Sequence, residues 1–222
     1  WIYSLFLGSL QHSKPICFLT GPMVSVKTTT LRMIGRLLYG AGWEVTLVRE
    51  FDDFVNALAN YHLIIYDTVE SALQSKRWFM DCLATLAPGG RIVKRSLYSK
   101  GAETETFTPH GFMAMSSMDV SFLRHDVIDR SLLFPIRKIQ QFAADSEILQ
   151  PIMANRDRIM SFLVQQLNRV VPLLLQDNTF TIKFRMAEWA RIACTIADAL
   201  GGRGEKVKTS LEAMAKAQTA VM

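Results

Sequence analysis

Cysteine is scarce in this chain and carries no pattern. Cys17, Cys82 and Cys194 stand far apart in apolar stretches, without the C-x-x-C spacing of a metal knuckle or redox pair. They read as small buried hydrophobes of a reducing compartment, which points to a cytoplasmic protein. Histidine is equally sparse: there are four, scattered, with no pair at metal-ligand spacing, which argues against a zinc site. Long apolar runs are missing too. The N-terminal WIYSLFLGSLQ is apolar, but it is too short to span a bilayer and has neither a basic leading region nor a small-residue cleavage site. It reads as a helix packed on the core over residues 1–14, and the lack of an initiator methionine as the mark of a piece cut from a longer protein. Repeats and low-complexity tracts are also absent.

What is present is core-forming material. Of 222 residues 50% are hydrophobic and 20% charged, a balance that buries a proper core rather than leaving the chain disordered. The net charge of +5 permits a nucleic-acid partner without requiring one.

The chain is organised around Ile16–Thr30, ICFLTGPMVSVKTTT. An apolar run from Ile16 to Leu19 ends at Thr20-Gly21, and a short loop carries Ser25, Lys27, Thr28 and Thr29. Apolar residues at helical spacing follow: Leu31, Ile34, Leu37 and Leu38. Strand, phosphate-sized loop and helix are the context of a Walker A loop, and Gly21 to Lys27-Thr28 has the spacing of G-x-x-x-x-G-K-[ST]. In such a loop backbone N–H groups and the helix N-terminus surround a phosphate, the lysine reaches its oxygens, and the next hydroxyl holds Mg²⁺. Gly21, Pro22, Ser25, Val26, Lys27, Thr28 and Thr29 are therefore the candidate nucleotide-binding residues. One position departs from the pattern, because Val26 stands where glycine should. A β-branched residue tolerates positive φ badly, so a loop needing that conformation would hold roughly 1–3 kcal/mol of strain. The plain alternative is an ordinary strand–helix turn with a stray lysine.

Beyond the loop, Gly40-Ala41-Gly42 stop the helix, WEVTLVR (43–49) has strand composition, and FDDFVNALAN (51–60) sets Phe51, Phe54, Val55 and Leu58 on one helical face. HLIIYD (62–67) reads as a buried parallel strand ending in a carboxylate. A helix over 75–87 follows, then a hairpin over 91–108, a strand over 110–117, a short helix or turn over 121–130 and a last strand over 131–136. From Asp145 the spacing is helical: 146–175, 185–200 and a weakly amphipathic tail over 203–222. Alternation of α and β to about residue 137 argues a parallel sheet with helices on both faces. The division is an α/β core over 15–140, a helical lid over 141–202 and the tail.

Asp67 stands where a Walker B carboxylate belongs, ending an apolar strand expected beside the loop strand, and would hold Mg²⁺. Many such ATPases place glutamate next; this chain has Thr68, and Glu70 is the candidate base. Ser116 and Ser117 end a strand where a small hydroxyl can touch a γ-phosphate or its attacking water. Arg130, after Asp129, opens the last strand at a domain edge, from which an arginine can act on a neighbouring subunit's nucleotide. Arg91, Lys94, Arg95 and Lys100 give the hairpin four positive charges before its turn and no acid. On charge alone that is a solvated basic hairpin. Taken singly, the others read as a helix-start carboxylate, a turn serine and a surface ion pair.

The order of these motifs carries a family resemblance. PICFLTGPMVSVKTTTLRMIGRLL, HLIIYDTVE, the basic hairpin, MAMSSMD, DVIDRSLLFPI and FRMAEWARI together resemble the AAA+ ATPase domain of primase-helicases and mobile-element replication proteins, with superfamily 3 and minichromosome-maintenance helicases as better-known relatives. The similarity spans about residues 15–200. It implies a P-loop NTPase three-layer sandwich with a central parallel sheet and a helical lid, and an ATP- and Mg²⁺-dependent motor forming a ring, a hexamer, on DNA. It implies Ser116 or Ser117 as sensor 1, Arg130 as arginine finger, Arg185 as a sensor-2-like lid arginine, and the 91–108 hairpin as the DNA grip. The departures, Val24, Val26 and Thr68, leave a second reading: an AAA+-like scaffold or DNA-binding subunit whose loop has degenerated. A small-molecule P-loop kinase explains neither the basic hairpin nor the edge arginine.

Overall fold

The apolar runs at 16–20, 63–66 and 112–117 become sheet strands buried at nearly every residue, whereas the run at 131–135 is buried only at its start. In the computed structural model β1 (Ile16–Thr20), β2 (Leu63–Tyr66), β5 (Phe112–Ser117) and β6 (Ser131–Pro135) form one parallel sheet in the order β2-β5-β1-β6. β3 (Ile92–Arg95) and β4 (Thr104–Phe107) pair antiparallel as the expected hairpin. The structure describes the chain except residues 24, 46, 47, 49, 68–75, 96–103, 108–110, 122, 139–142, 177–179 and 221–222, and gives backbone alone at 94, 95, 104–107 and 220.

Strand alternation sorts the core into two layers. Ile16, Phe18, Ile64, Tyr66, Met113 and Met115 face α2 (Phe51–Asn60) and α3 (Arg77–Leu86), whose Phe54, Phe79 and Leu83 are fully buried. Cys17, Leu19, Leu63, Ile65, Phe112 and Ala114 face the other way, against Leu31 of α1 (Lys27–Tyr39) and Leu5 of the N-terminal segment. A parallel sheet with helices on both faces is what the α/β alternation predicts.

Two expectations change. The N-terminal helix is a pair of 3₁₀ turns over Tyr3–Leu10, broken at Leu7 (φ −114°, ψ 24°) where that side chain joins Leu167, Val170, Ile192 and Ile196. The 43–49 strand is not seen in its described residues, Trp43–Val45 and Val48. Trp43 and Glu44 dock on α1 instead: a Cβ at Gly35 would lie 2.0 Å from the Trp43 ring, Trp43 stacks on Tyr39, and Glu44 is ion-paired with Arg32 and Arg36.

The C-terminal part is helical, in α5 (Asp145–Ala154), α6 (Arg156–Leu174), α7 (Ala187–Gly201) and α8 (Gly204–Ala220), with the short α4 (His125–Ile128) preceding β6. Their described contacts run along α1, onto the N-terminal segment, where Trp189 Nε1 donates to Ser4 Oγ at 3.0 Å, and onto β6. Within the 203–222 segment, α8 is a packed helix. Gln218, only 5% exposed, donates from Nε2 to Ile128 O (2.9 Å) and Ser131 O (3.0 Å), and the β6 amide of Leu133 faces Met214 Sδ at 3.4 Å. The helix covers a strand edge that would otherwise offer unpaired backbone groups. Among the described residues no helix is long and apolar enough to cross a membrane.

Burial pushes the Cys17 thiol up to about 12 and the Cys82 and Cys194 thiols up to about 11. Since the thiolate is the nucleophile, alkylation of the folded protein at pH 8 should run at least about tenfold slower than alkylation in denaturant; equal rates by mass spectrometry would contradict the burial. Gln218→Ala should cost about 1–3 kcal/mol in urea unfolding, because two buried carbonyls lose their donor.

Candidate functional site

The carboxyl ends of β1, β2 and β5 meet at one point. Asp67 follows β2, and β2 does not adjoin β1 as the sequence suggests: β5 lies between them, paired with both. The register sets Tyr66 opposite Met115 and Leu19 opposite Ser116, which brings Ser116 level with Asp67. The side chains converge accordingly. Thr28 Oγ1 donates to both carboxylate oxygens of Asp67, at 3.0 and 2.9 Å, and the Ser116 hydroxyl donates to Asp67 Oδ1. Ser117, by contrast, turns away and donates to Asp119 O, whose carboxylate in turn holds the Ser121 amide at 2.8 Å.

The loop closes beneath this cluster. Lys27 is 8% exposed, and its ammonium donates to Gly21 O (2.8 Å), Pro22 O (2.9 Å) and Ser25 Oγ (3.0 Å); Ser25 Oγ also lies 3.0 Å from Pro22 O. An ammonium has three protons, so the loop satisfies it fully while keeping it mostly out of water. Val26 is the N-cap of α1 with φ −73° and ψ 24°, and its side chain makes no cap hydrogen bond. The first amides of α1 are therefore not engaged by that residue. The negative φ removes the strain expected of a valine at positive φ. The true glycine requirement falls on Gly21, at φ +149°, where an added Cβ would lie 2.2 Å from Ile136 O. Its amide donates to Met118 O at 3.2 Å and the Ile136 amide to Thr20 O at 2.6 Å, so the loop is stapled to the ends of β5 and β6.

Thr29, placed in the nucleotide set, instead donates to Asp145 Oδ1 at 3.0 Å, 116 residues away. Arg130 sits at the other end of the sheet: it precedes β6, and its carbonyl accepts from the Ile16 amide at the start of β1. Five residues of β6 separate it from the loop end, about 16 Å at ~3.3 Å per residue, so it does not serve the site of its own chain. Its side chain is 15% exposed, donates to Asp126 O, lies 3.7 Å from the Asp126 carboxylate, and leaves Nε buried without a hydrogen-bond partner among the described residues. Arg185 is exposed just ahead of α7, and Arg91 is exposed just ahead of β3. Lys94 and Arg95 lie on β3, where the register sets Lys94 opposite Glu105; the returning arm thus carries an acid that the count before the turn overlooked. Glu70 and Lys100 lie outside the described residues.

The donor set at Asp67 is one carboxylate and two hydroxyls, all hard oxygen. Such a set fits Mg²⁺, which takes one or two carboxylates and completes its shell with waters and phosphate oxygens. Among the described residues no group of three or more His, Cys, Asp or Glu is gathered as a metal cage. Asp145, Asp126 and the carbonyls of Ile136 and Met118 are participants that sequence reasoning missed. Their partners lie far along the chain, and backbone carbonyls leave no trace in a residue pattern.

Fold and site together define a parallel α/β protein with a lysine-bearing strand–loop–helix turn beside a hydroxyl–carboxylate cluster. The chain belongs to the family of actinomycete integrative conjugative element replication proteins, AICE RepA, whose family model matches residues 2–215. Comparison with curated protein sequences gives no match. Among solved structures it is similar to a chain of JCV helicase crystallised with a thiazolopyridine-phenoxyphenyl acetamide, at 13% identity and a TM-score of 0.39, covering 100% of this chain and 56% of that one.

The backbone angles reverse the usual expectation for the loop. Gly21→Ala should destabilise the fold by about 1–3 kcal/mol, through positive φ and the clash with Ile136 O. Val26→Gly should be neutral or lower stability by up to ~1 kcal/mol through added chain entropy. Thermal or urea unfolding of both variants checks the order; a stabilised Val26→Gly protein would restore the idea of a strained valine.

Proposed function

We propose that the chain is an ATP-binding and ATP-hydrolysing module of a DNA motor acting in replication of the element. The observation that carries this reading is the Thr28–Asp67 contact, at 3.0 and 2.9 Å, between residues 39 apart. A hydroxyl following a loop lysine and a carboxylate ending a separate buried strand are held together at the head of α1, and the lysine lies beside them.

In this reading Lys27 exchanges its contacts with Gly21 O and Pro22 O for phosphate oxygens, a substitution of one set of acceptors for another that keeps the buried ammonium satisfied. The amides opening α1 supply further donors to the same anion. Mg²⁺, when bound, neutralises charge building on the transferred phosphoryl group. Thr28 and Asp67 would be its protein ligands. Ser116 holds one oxygen of that carboxylate, fixing its orientation, and sits where its hydroxyl can meet an attacking water. Glu70 is the candidate base. Arg130 acts on a neighbouring copy, because the length of β6 keeps it from its own loop. A ring of copies, hexameric by the family resemblance, is the assembly that would use it, and the 91–108 hairpin is the element offered to DNA.

Val26 supports a second reading, an AAA+-like scaffold with little turnover, because a branched side chain stands next to the lysine in place of glycine. Its negative φ weighs against backbone distortion as the cause.

Lys27→Ala should lower ATP affinity and turnover by at least about tenfold, and Asp67→Asn should lower turnover by about a hundredfold with a smaller loss of affinity. Unchanged binding and turnover in Lys27→Ala would sink the proposal. Single-stranded DNA affinity should fall with added salt, and neutralising Lys94 and Arg95 should reduce the log–log slope by about 1–1.5. Insensitivity to both removes the hairpin from the DNA contact.

A further inference from the structure

Helix α1 is held at both ends by the chain that follows the sheet. At its start Thr29 Oγ1 donates to Asp145 Oδ1 at 3.0 Å, and Arg32 pairs through Nη1 with Asp145 Oδ2 and through Nε with Glu44 at 2.9 Å. At its end Arg156 donates from Nε to Leu37 O at 2.8 Å and from Nη2 to Leu38 O at 3.0 Å. The spans match. Thr29 to Leu38 is about 14 Å and Asp145 to Arg156 about 16 Å at ~1.5 Å per residue, so α5 runs alongside α1 in the same direction.

Each contact answers a need of the helix. The last carbonyls of an α-helix have no partner within it, and Arg156 takes two of them. The signs also suit the helix dipole: a carboxylate lies at the positive start of α1 and a guanidinium at its negative end. Asp145 is the first residue of α5 as well, so one carboxylate sits at the positive ends of two helices. Asp145 is half-exposed, with 53% of its side chain accessible, so the ion pair alone is weak; the fastening comes from two separated points acting on one rigid rod.

We infer that Asp145 and Arg156 are positioning residues that clamp α5 and the start of α6 to the two ends of α1, so that a ligand ordering the loop at residues 21–29 also orders residues 145–160. The inference rests on the nucleotide reading above for the identity of that ligand, and on the contacts alone for the clamp. Thr29 is the link: it adjoins Thr28, the proposed Mg²⁺ ligand, and its hydroxyl is spent on Asp145 rather than on phosphate.

Hydrogen exchange by mass spectrometry on the full chain tests it, comparing the parent with the Asp145→Ala/Arg156→Ala double variant, with and without Mg²⁺·ATPγS. Without ligand, exchange over 145–160 should speed at least tenfold in the double variant, while β1 and β5 stay as in the parent. With ligand, residues 21–30 should be protected in both proteins, and 145–160 in the parent alone. Unaltered ligand-free exchange at 145–160 overturns the clamp, as does ligand protection of that segment in the double variant. Faster exchange everywhere, β1 and β5 included, also overturns it, since the two residues would then hold the fold in general. If ATPγS protects nothing at 21–30 in the parent, the nucleotide reading falls, and the ligand-free comparison still decides the clamp. Asp145→Asn with Arg156 intact keeps an acceptor for Thr29 and should retain most of the parent's protection.

Discussion

The Asp67 carboxylate is where distant parts of the chain are made to agree. It accepts from Thr28 at the head of α1 and from Ser116 at the end of β5, and its own strand β2 is joined to the loop strand only through β5. Those three bonds require that β1, β5 and β2 stand in one register and that α1 start at Lys27. A slip of one residue in β5 would turn Ser116 to the opposite face of the sheet, so the register that buries Met113 and Met115 also places the hydroxyl. Packing and site geometry are here the same constraint.

Satisfaction of buried polar groups accounts for the remaining shape. Lys27 is buried and keeps all three ammonium protons engaged, Gln218 spends its amide on two carbonyls at the covered edge of β6, and Arg156 takes the carbonyls ending α1. Each ties a C-terminal element, or the loop, to the α/β layers, and for the buried Lys27 and Gln218 an unmet group would cost ~1–3 kcal/mol. The C-terminal helices are integrated with the α/β layers by such contacts as much as by apolar burial.

Much of the fold was legible in residue spacing. Uninterrupted apolar runs marked the strands of the parallel sheet, and the 3.6-residue spacing of Phe54, Val55 and Leu58 marked α2 and its face. The chain's membership of a mobile-element replication family agrees with the resemblance carried by its motif order. Two segments misled. WEVTLVR has strand composition, yet Trp43 and Glu44 are drawn to α1 by a glycine-lined slot at Gly35 and by two arginines, contacts stronger than propensity. WIYSLFLGSLQ has helix-like apolarity, yet Leu7 turns into a cluster formed by residues more than 150 positions later, and the helix breaks there.

By itself the sequence determined the α/β succession, the burial of its cysteines and the loop that joins Gly21 to Lys27 and Thr28, because these depend on local spacing and on side-chain type. Tertiary structure alone decided that β5 separates Asp67 from the loop strand, that Ser116 and not Ser117 meets the carboxylate, and that Thr29 is committed to Asp145. It also decided where glycine is indispensable. Pattern assigns that role to the place of Val26, but φ there is −73°, and the position without room for a side chain is Gly21, against Ile136 O. Strand order, register and the approach of a remote carbonyl are relations between segments, and no property of either segment alone encodes them.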